Sequence, residues 1–331
     1  MKQLDEKQLL IRVNLQISLD QLAGQIVKEF NLGELMKFVP LPVGYEELNC
    51  LLGTSRGKYI VKIFSKDKTL PIINSNVTAL IEYSRGGVPV PKLYQDKADN
   101  FLYQIKNNPK AYLVVMDYFA GKKFTEVEPT TLDLINVTKI LAAIHKLSFK
   151  TSANYDIWLT IHLDKEFAKK YQYLSLENLQ LIKPVIKQFQ TIDYNRLTKS
   201  VVHYDLHREN AMKGNQGKYC ILDLASTDYS YKVFDLATFM ALFCLDYKKP
   251  YAENQKIYQL VLKTYLEAGK LNDYEKNILP LLIKASYASN LLIPEYLQKT
   301  GQDENQQQTN YYKSMGRGGL KLWQSIKITD L

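Results

Sequence analysis

One stretch constrains the chain more than any other: residues 201–223, VVHYDLHRENAMKGNQGKYCILD. It places His203 two residues before Asp205 and Asn210 five residues after it. A short turn follows, then the apolar run Tyr219, Cys220, Ile221 and Leu222, which ends on Asp223. Gly214-Asn-Gln-Gly217 has the composition of a tight turn. The two arms are therefore expected to form a hairpin that returns Asp223 to the neighbourhood of Asp205 and Asn210. Phosphoryl transfer needs such a set. One carboxylate accepts the proton of a hydroxyl, while an amide and a second carboxylate hold magnesium on nucleotide phosphates. Magnesium is hard, prefers oxygen and keeps several waters. A polar turn between two strands is the plain alternative, and the ordered set of residue types argues against it.

The spacing H-x-D-x-x-x-x-N is that of a kinase catalytic loop. Leu206-His207 after the aspartate, and Asp235-Leu-Ala237 in place of D-F-G, differ from protein kinases. HYDLHREN, ILDL and DLA together resemble the aminoglycoside phosphotransferase-like and choline kinase-like family of small-molecule kinases. Its usual form is H-G-D-L-H-x-x-N, then I-D-F or I-D-W, then D-L-A; Tyr204 stands where glycine is common. The resemblance implies an α+β, protein-kinase-like two-lobed fold. A small, mainly antiparallel β N-lobe (1–119) would bind nucleotide, and a larger, mainly helical C-lobe (120–331) would carry catalysis and the acceptor pocket. It implies ATP or GTP as phosphoryl donor, Mg2+, and a small-molecule hydroxyl as acceptor. Asp205 is expected as the base and Asn210 and Asp223 as metal ligands. Asp235 is expected to brace the loop backbone and His203 to hold the loop by hydrogen bonds. His207 would touch the acceptor or support the loop, and Arg208 would neutralise charge on the transferred phosphate.

Upstream, residues 58–64 read as a strand in which Lys62 shares a face with Ile60 and Phe64. A lysine among apolar neighbours needs an anionic partner. In a kinase that partner is the nucleotide's phosphates, with a helix glutamate behind the lysine. The helix expected over residues 76–85 is stopped by Gly86-Gly87. In relatives the pairing glutamate lies near its start, where this chain has Asn76. Glu82, the only acid on the helix, is the candidate partner; the alternative is that the pair is missing. Gly44-Tyr-Glu-Glu-Leu-Asn49 is not G-x-G-x-x-G; it resembles a loop of the hydroxylysine kinase branch, and a homoserine kinase-like branch is also open. Gly53-x-x-x-Gly57-Lys58 is one residue short of a P-loop and lacks its Ser/Thr. Residues 111–119 resemble the hinge between lobes, with the backbone of Met116, Asp117, Tyr118 and Phe119 reading the purine edge.

Elsewhere, residues 4–38 carry helical spacing, with Leu19, Leu22, Ile26, Val27 and Phe30 on one stripe and Pro40 and Pro42 as the stop. Thr130 and Asp133 form a capping-box pattern, and His145 is assigned a structural place under the catalytic loop. Residues 251–330 read as mainly helical, with 302–310 a loop and Arg317 of Gly316-Arg-Gly-Gly319 in a helix-edge turn, the alternative being that it faces an anionic substrate. No apolar run of 18 residues is present, so no membrane span is expected. Three cysteines without C-x-x-C read as buried thiols of a reducing compartment, which points to the cytoplasm. The net charge of +9 comes from dispersed lysines, so no nucleic-acid partner is expected; the chain is read as monomer or homodimer. A basic protein is a poor trap for a polycationic aminoglycoside. The expected acceptor is an amino acid, amino alcohol or sugar, with an aminoglycoside as runner-up. A catalytically weak kinase-like nucleotide-binding module is the alternative of another class.

Overall fold

Period-two alternation builds the first sheet. Leu48, Cys50 and Leu52 of β2 (Leu48–Thr54) and Tyr59, Val61 and Ile63 of β3 (Gly57–Ile63) are buried, with half-buried residues between them. The computed structural model describes residues 10–41, 47–108, 110–151, 155–303 and 305–324. It divides into two units: Met1–Gly121 with Gly214–Leu222, and Lys122–Lys213 with Asp223–Leu331.

The first unit holds a five-stranded antiparallel sheet in the order β1-β2-β3-β5-β4. Its remaining strands are β1 (Leu35–Pro40), β4 (Tyr103–Gln104) and β5 (Tyr112–Asp117). One face packs on Leu22 and Ile26 of α1 (Leu19–Glu29) and on Phe30. The other packs Phe64, Val114 and Met116 against Ile73 and Val77 of α2 (Leu70–Arg85). Two expectations change here. The first helix stops at Glu29 rather than running to residue 38, because Asn31 (φ 52°) and Gly33 (φ 88°) turn the chain left-handed. Leu35–Pro40 is instead an edge strand whose first three residues are exposed. α2 begins at Leu70, six residues ahead of the expected start, with proline in its first turn, where a missing N–H costs nothing. It ends as expected: Gly87 takes φ 76° and the Val88 N–H donates to the Tyr83 carbonyl (2.9 Å).

The hairpin of β8 (Ala211–Gly214) and β9 (Tyr219–Ile221) is closed by the Gly214 N–H on the Lys218 carbonyl (2.8 Å). The Ile221 N–H donates to the Pro89 carbonyl (2.7 Å), so Gly214–Leu222 belong with the first unit rather than with the C-terminal half. The short β6 (Gly121–Lys123) begins at the last residue of that unit's first segment.

The second unit is mainly helical. α3 (Thr131–Ile144) opens on the capping box of Thr130 and Asp133. It is followed by α4 (Leu163–Lys170), α5 (Leu176–Phe189), α6 (Lys232–Phe239), α7 (Tyr251–Ala268), α8 (Asp273–Thr300) and α9 (Gln306–Gln324). A two-stranded ribbon pairs β7 (Lys199–Val202) with β10 (Asp228–Tyr231). α8 is buried almost without interruption from Leu279 to Glu295, the pattern of a helix enclosed on all sides. α9 overturns two expectations. The Gln/Asn run is loop only to residue 305, and Gly316-Arg-Gly-Gly319 is helix interior rather than a turn. Close packing explains it. A Cβ on Gly316 would lie 2.6 Å from the Tyr287 carbonyl oxygen, and Cβ atoms on Gly318 and Gly319 would strike the rings of Tyr247 and Tyr287. Arg317 donates through Nε to Asn178 Oδ1 (3.0 Å), which ties α9 to α5. Among the described residues no helix is long and apolar enough to cross a membrane.

Candidate active site

β7 ends at Val202 and delivers His203 and Tyr204 to a buried carboxylate. Asp235, fully buried on α6, accepts the His203 N–H through Oδ2 (2.6 Å) and the Tyr204 N–H through Oδ1 (2.9 Å). Its Oδ2 also bonds His145 Nε2 (3.0 Å), whose Nδ1 bonds the Tyr265 hydroxyl of α7 (2.6 Å). The next N–H, that of Asp205, donates to His203 Nδ1 (3.2 Å). Tyr204 takes φ 63°, which explains the glycine common at this position. A left-handed tyrosine costs about 1–2 kcal/mol; its buried ring and its hydroxyl bond to Ser230 Oγ (2.7 Å) offset that.

This scaffold sets Asp205 between two side chains. Asn210 Nδ2 donates to Asp205 Oδ2 (2.7 Å) and to its carbonyl (2.9 Å), and His207 Nε2 lies 3.2 Å from Asp205 Oδ1. The aspartate side chain keeps 37% exposure, which a base awaiting a substrate hydroxyl requires. Burial pushes the His207 pKa down, but the carboxylates of Asp205, Glu209 and Asp223 outweigh it and hold the ring above its usual value. Because the Asn210 nitrogen is turned to Asp205, its amide oxygen faces the other way. Asp223 is exposed, with φ 53°. Two oxygen donors of this kind suit magnesium, which binds through one or two protein oxygens and waters. Among the described residues no group of three or more His, Cys, Asp and Glu is placed to hold a metal. Arg208 is directed elsewhere than expected: its Nε donates to the Phe243 carbonyl (3.0 Å) and its Nη1 to Glu128 Oε1 (3.0 Å).

In the first unit, Lys62 pairs with Glu47, Nζ to Oε2 at 3.0 Å, and Lys68 bonds the other oxygen of the same carboxylate. All three side chains are 15% exposed or less. Glu82 is not the partner: it is turned to Arg85 (2.7 Å), one helical turn along α2. Asn76, where the family resemblance leads one to expect an acid, is buried with its Nδ2 lacking a hydrogen-bond partner. Sheet register explains Glu47. Asn49 lies opposite Lys62, so Glu47, two residues earlier, sits diagonally on the same face. The pair of acids before Asn49 was the available signal. Gly44, Tyr45 and Glu46 lie outside the described residues. In the expected hinge, Met116 is buried at the end of β5. The Asp117 N–H donates to the Lys92 carbonyl (3.0 Å), and its Oδ1 accepts from the Tyr94 hydroxyl (2.6 Å), whose pKa that bond pushes up to about 12. Asp117 is thus a strut, and Tyr118 and Phe119 follow it out of the strand.

The model of the phosphotransferase enzyme family (APH) matches residues 37–271, the larger part of the chain. The chain belongs to this family. Among related phosphotransferases, the homoserine kinase of Polaromonas naphthalenivorans (strain CJ2) is 22% identical over 275 residues, covering 82% of this chain and 84% of that protein. Among solved structures, spectinomycin phosphotransferase APH(9)-Ia, in complex with ADP and spectinomycin, superposes with a TM-score of 0.67 at 12% identity over 96% of this chain and all of that one. A microcompartment-associated aminopropanol kinase gives a TM-score of 0.66 at 14% identity, covering 91% and 95%. The kinase-like fold is thereby established, and this APH-family chain is a small-molecule kinase.

Proposed function

We propose that this phosphotransferase moves the γ-phosphoryl group of ATP, with Mg2+, onto the hydroxyl of a small amino acid or amino alcohol of the homoserine kind. The observation that carries the reading is the Asp205 carboxylate, held at one oxygen by Asn210 and at the other by His207, and left open to a substrate. Homoserine kinases among the relatives support the acceptor class.

Asp205 orients the acceptor hydroxyl and takes its proton as the new oxygen–phosphorus bond forms and the bond to the β-phosphate oxygen breaks, releasing ADP. The transition state is loose, so positioning and charge neutralisation supply most of the acceleration. Asn210, through its amide oxygen, and Asp223 would hold Mg2+, which would supply neutralisation of phosphate charge. Lys62, oriented by Glu47, steadies the nucleotide phosphates. Asp235, with His145 and Tyr265 behind it, keeps the loop amides in place.

The test is ADP release with ATP and GTP supplied separately, in Mg2+. The acceptors are homoserine, hydroxylysine, ethanolamine, choline, sugars and aminoglycosides, with Asp205→Asn as control. Release that needs homoserine or a close amino alcohol and is absent from the control is the expected result. Release confined to sugars or aminoglycosides would replace the acceptor class, and nucleotide binding without release would leave a binding module.

A further inference from the structure

Beside the base, the second unit holds a carboxylate that the transfer chemistry leaves unused. Glu209 precedes the metal-binding amide by one residue. Its N–H donates to His207 Nδ1 (3.2 Å), and its Oε2 accepts from Gln308 Nε2 (3.1 Å) in the first turn of α9. The glutamate is therefore fixed from both ends. One turn further along α9, Tyr312 stands edge-on to the His207 ring (centroids 6.1 Å apart) and tilted against Trp158 (5.8 Å). Tyr312 is buried; burial first, then the charges of Glu209 and Asp205, raise its hydroxyl pKa well above the ordinary value. The Tyr312 ring is thus set against the imidazole that pairs with Asp205 through Nε2 and accepts the Glu209 N–H at Nδ1.

The sign of the local charge decides what fits. The loop's arginine is bonded to Phe243 and Glu128. His207 is paired with Asp205 (3.2 Å), so the carboxylate left over at this place is Glu209, which takes part in no ion pair among the described residues. Carboxylate oxygens and ring faces are what a small ammonium seeks. An anionic acceptor is repelled, and a neutral polyol leaves Glu209 desolvated without a counter-charge.

We propose that Glu209, held by Gln308 one turn of α9 before Tyr312, is the subsite for an ammonium group carried by the acceptor. The inference rests on the proposed kinase reading and narrows it: the acceptor's hydroxyl lies on Asp205 while its amine lies on Glu209. Glu209 is then a specificity-determining residue, and Gln308 a positioning residue that acts through it.

Matched acceptors test this on the full-length enzyme: homoserine against 4-hydroxybutyrate, and ethanolamine against ethylene glycol. Initial rates are measured at saturating ATP and Mg2+, and thermal unfolding is recorded for each variant. Wild type is expected to favour each amine by at least about tenfold in kcat/KM. Glu209→Gln should raise KM for the amines by about 10- to 100-fold, the scale of an ion pair lost from a desolvated site. It should change kcat and the KM for ATP less than about threefold and abolish the preference. Gln308→Leu should give a smaller rise, about 3- to 10-fold. Calorimetric binding of the same four compounds to the ADP-loaded enzyme repeats the comparison without turnover. Equal handling of amine and amine-free partners by wild type, or a Glu209→Gln defect confined to kcat, overturns the subsite while leaving the kinase reading intact. Asp205-independent ADP release from every acceptor overturns the kinase reading itself.

Discussion

Replacing Glu47 by glutamine tests whether a loop carboxylate, rather than a helix one, positions Lys62, the lysine proposed to bind the nucleotide phosphates. At the 3.0 Å separation of Lys62 and Glu47, Coulomb attraction is about 5 kcal/mol at an effective dielectric of about 20. Desolvation of side chains 15% and 9% exposed offsets much of that, and glutamine keeps one hydrogen bond. A net loss of about 1.4 to 2.8 kcal/mol remains, a fall of about 10- to 100-fold in kcat/KM for the nucleotide. Lys68 shares the carboxylate, so the unfolding temperature should fall as well. The assay is ADP release against nucleotide concentration at saturating acceptor, with Glu82→Gln in parallel. Glu82 is committed to Arg85, so that variant should stay within about twofold of wild type, the scale of an exposed helix pair. A normal Glu47→Gln beside a crippled Glu82→Gln would refute the reasoning.

Asp205→Asn should cost at least about 1,000-fold in turnover, the range of a lost general base, while nucleotide affinity measured by calorimetry is retained. Asp235→Ala should lower stability by about 2–4 kcal/mol in denaturant titration, because two buried loop N–H groups and His145 lose their acceptor. Gly316→Ala should destabilise by about 1–3 kcal/mol, since its Cβ would meet backbone atoms of Tyr287 and Asn290 that cannot swing aside. Gly24→Ala on α1, with open space around it, should stabilise by about 0.5–1 kcal/mol. Burial pushes the thiols of Cys50 and Cys220 up to about 12, and that of Cys244 upward too. All three stay protonated at pH 8, so native protein should resist alkylation that is complete in denaturant; rapid native labelling would contradict their burial.

The catalytic loop was legible because its chemistry is contiguous: Asp205, Asn210 and the hairpin leading to Asp223 lie within one stretch whose spacing has few other uses. Lys62 was legible from strand alternation. Its partner was not, because the pairing depends on the register between β2 and β3, which no single segment encodes. β1 escaped notice since an edge strand with exposed Leu35 and Met36 shows no alternation. Gly316-Arg-Gly-Gly319 looked like a turn because glycine propensity is local, while the reasons for these glycines lie far back in the chain: Tyr287 for Gly316 and Gly319, and Tyr247 for Gly318.

Those last contacts have a practical reach. The family model's match to this chain ends at residue 271, whereas α9 begins at Gln306. Glycines 316 and 319 against Tyr287 of α8, and Gly318 against Tyr247, act as a docking key that locks α9 at one height, and that height sets where positions 308 and 312 meet the candidate catalytic loop. Grafting residues 306–315 from another phosphotransferase while retaining 316–324 should therefore transplant acceptor preference as a cassette. Grafts that discard the glycine key should lift the whole helix and lose the loop contact, whatever side chains they bring.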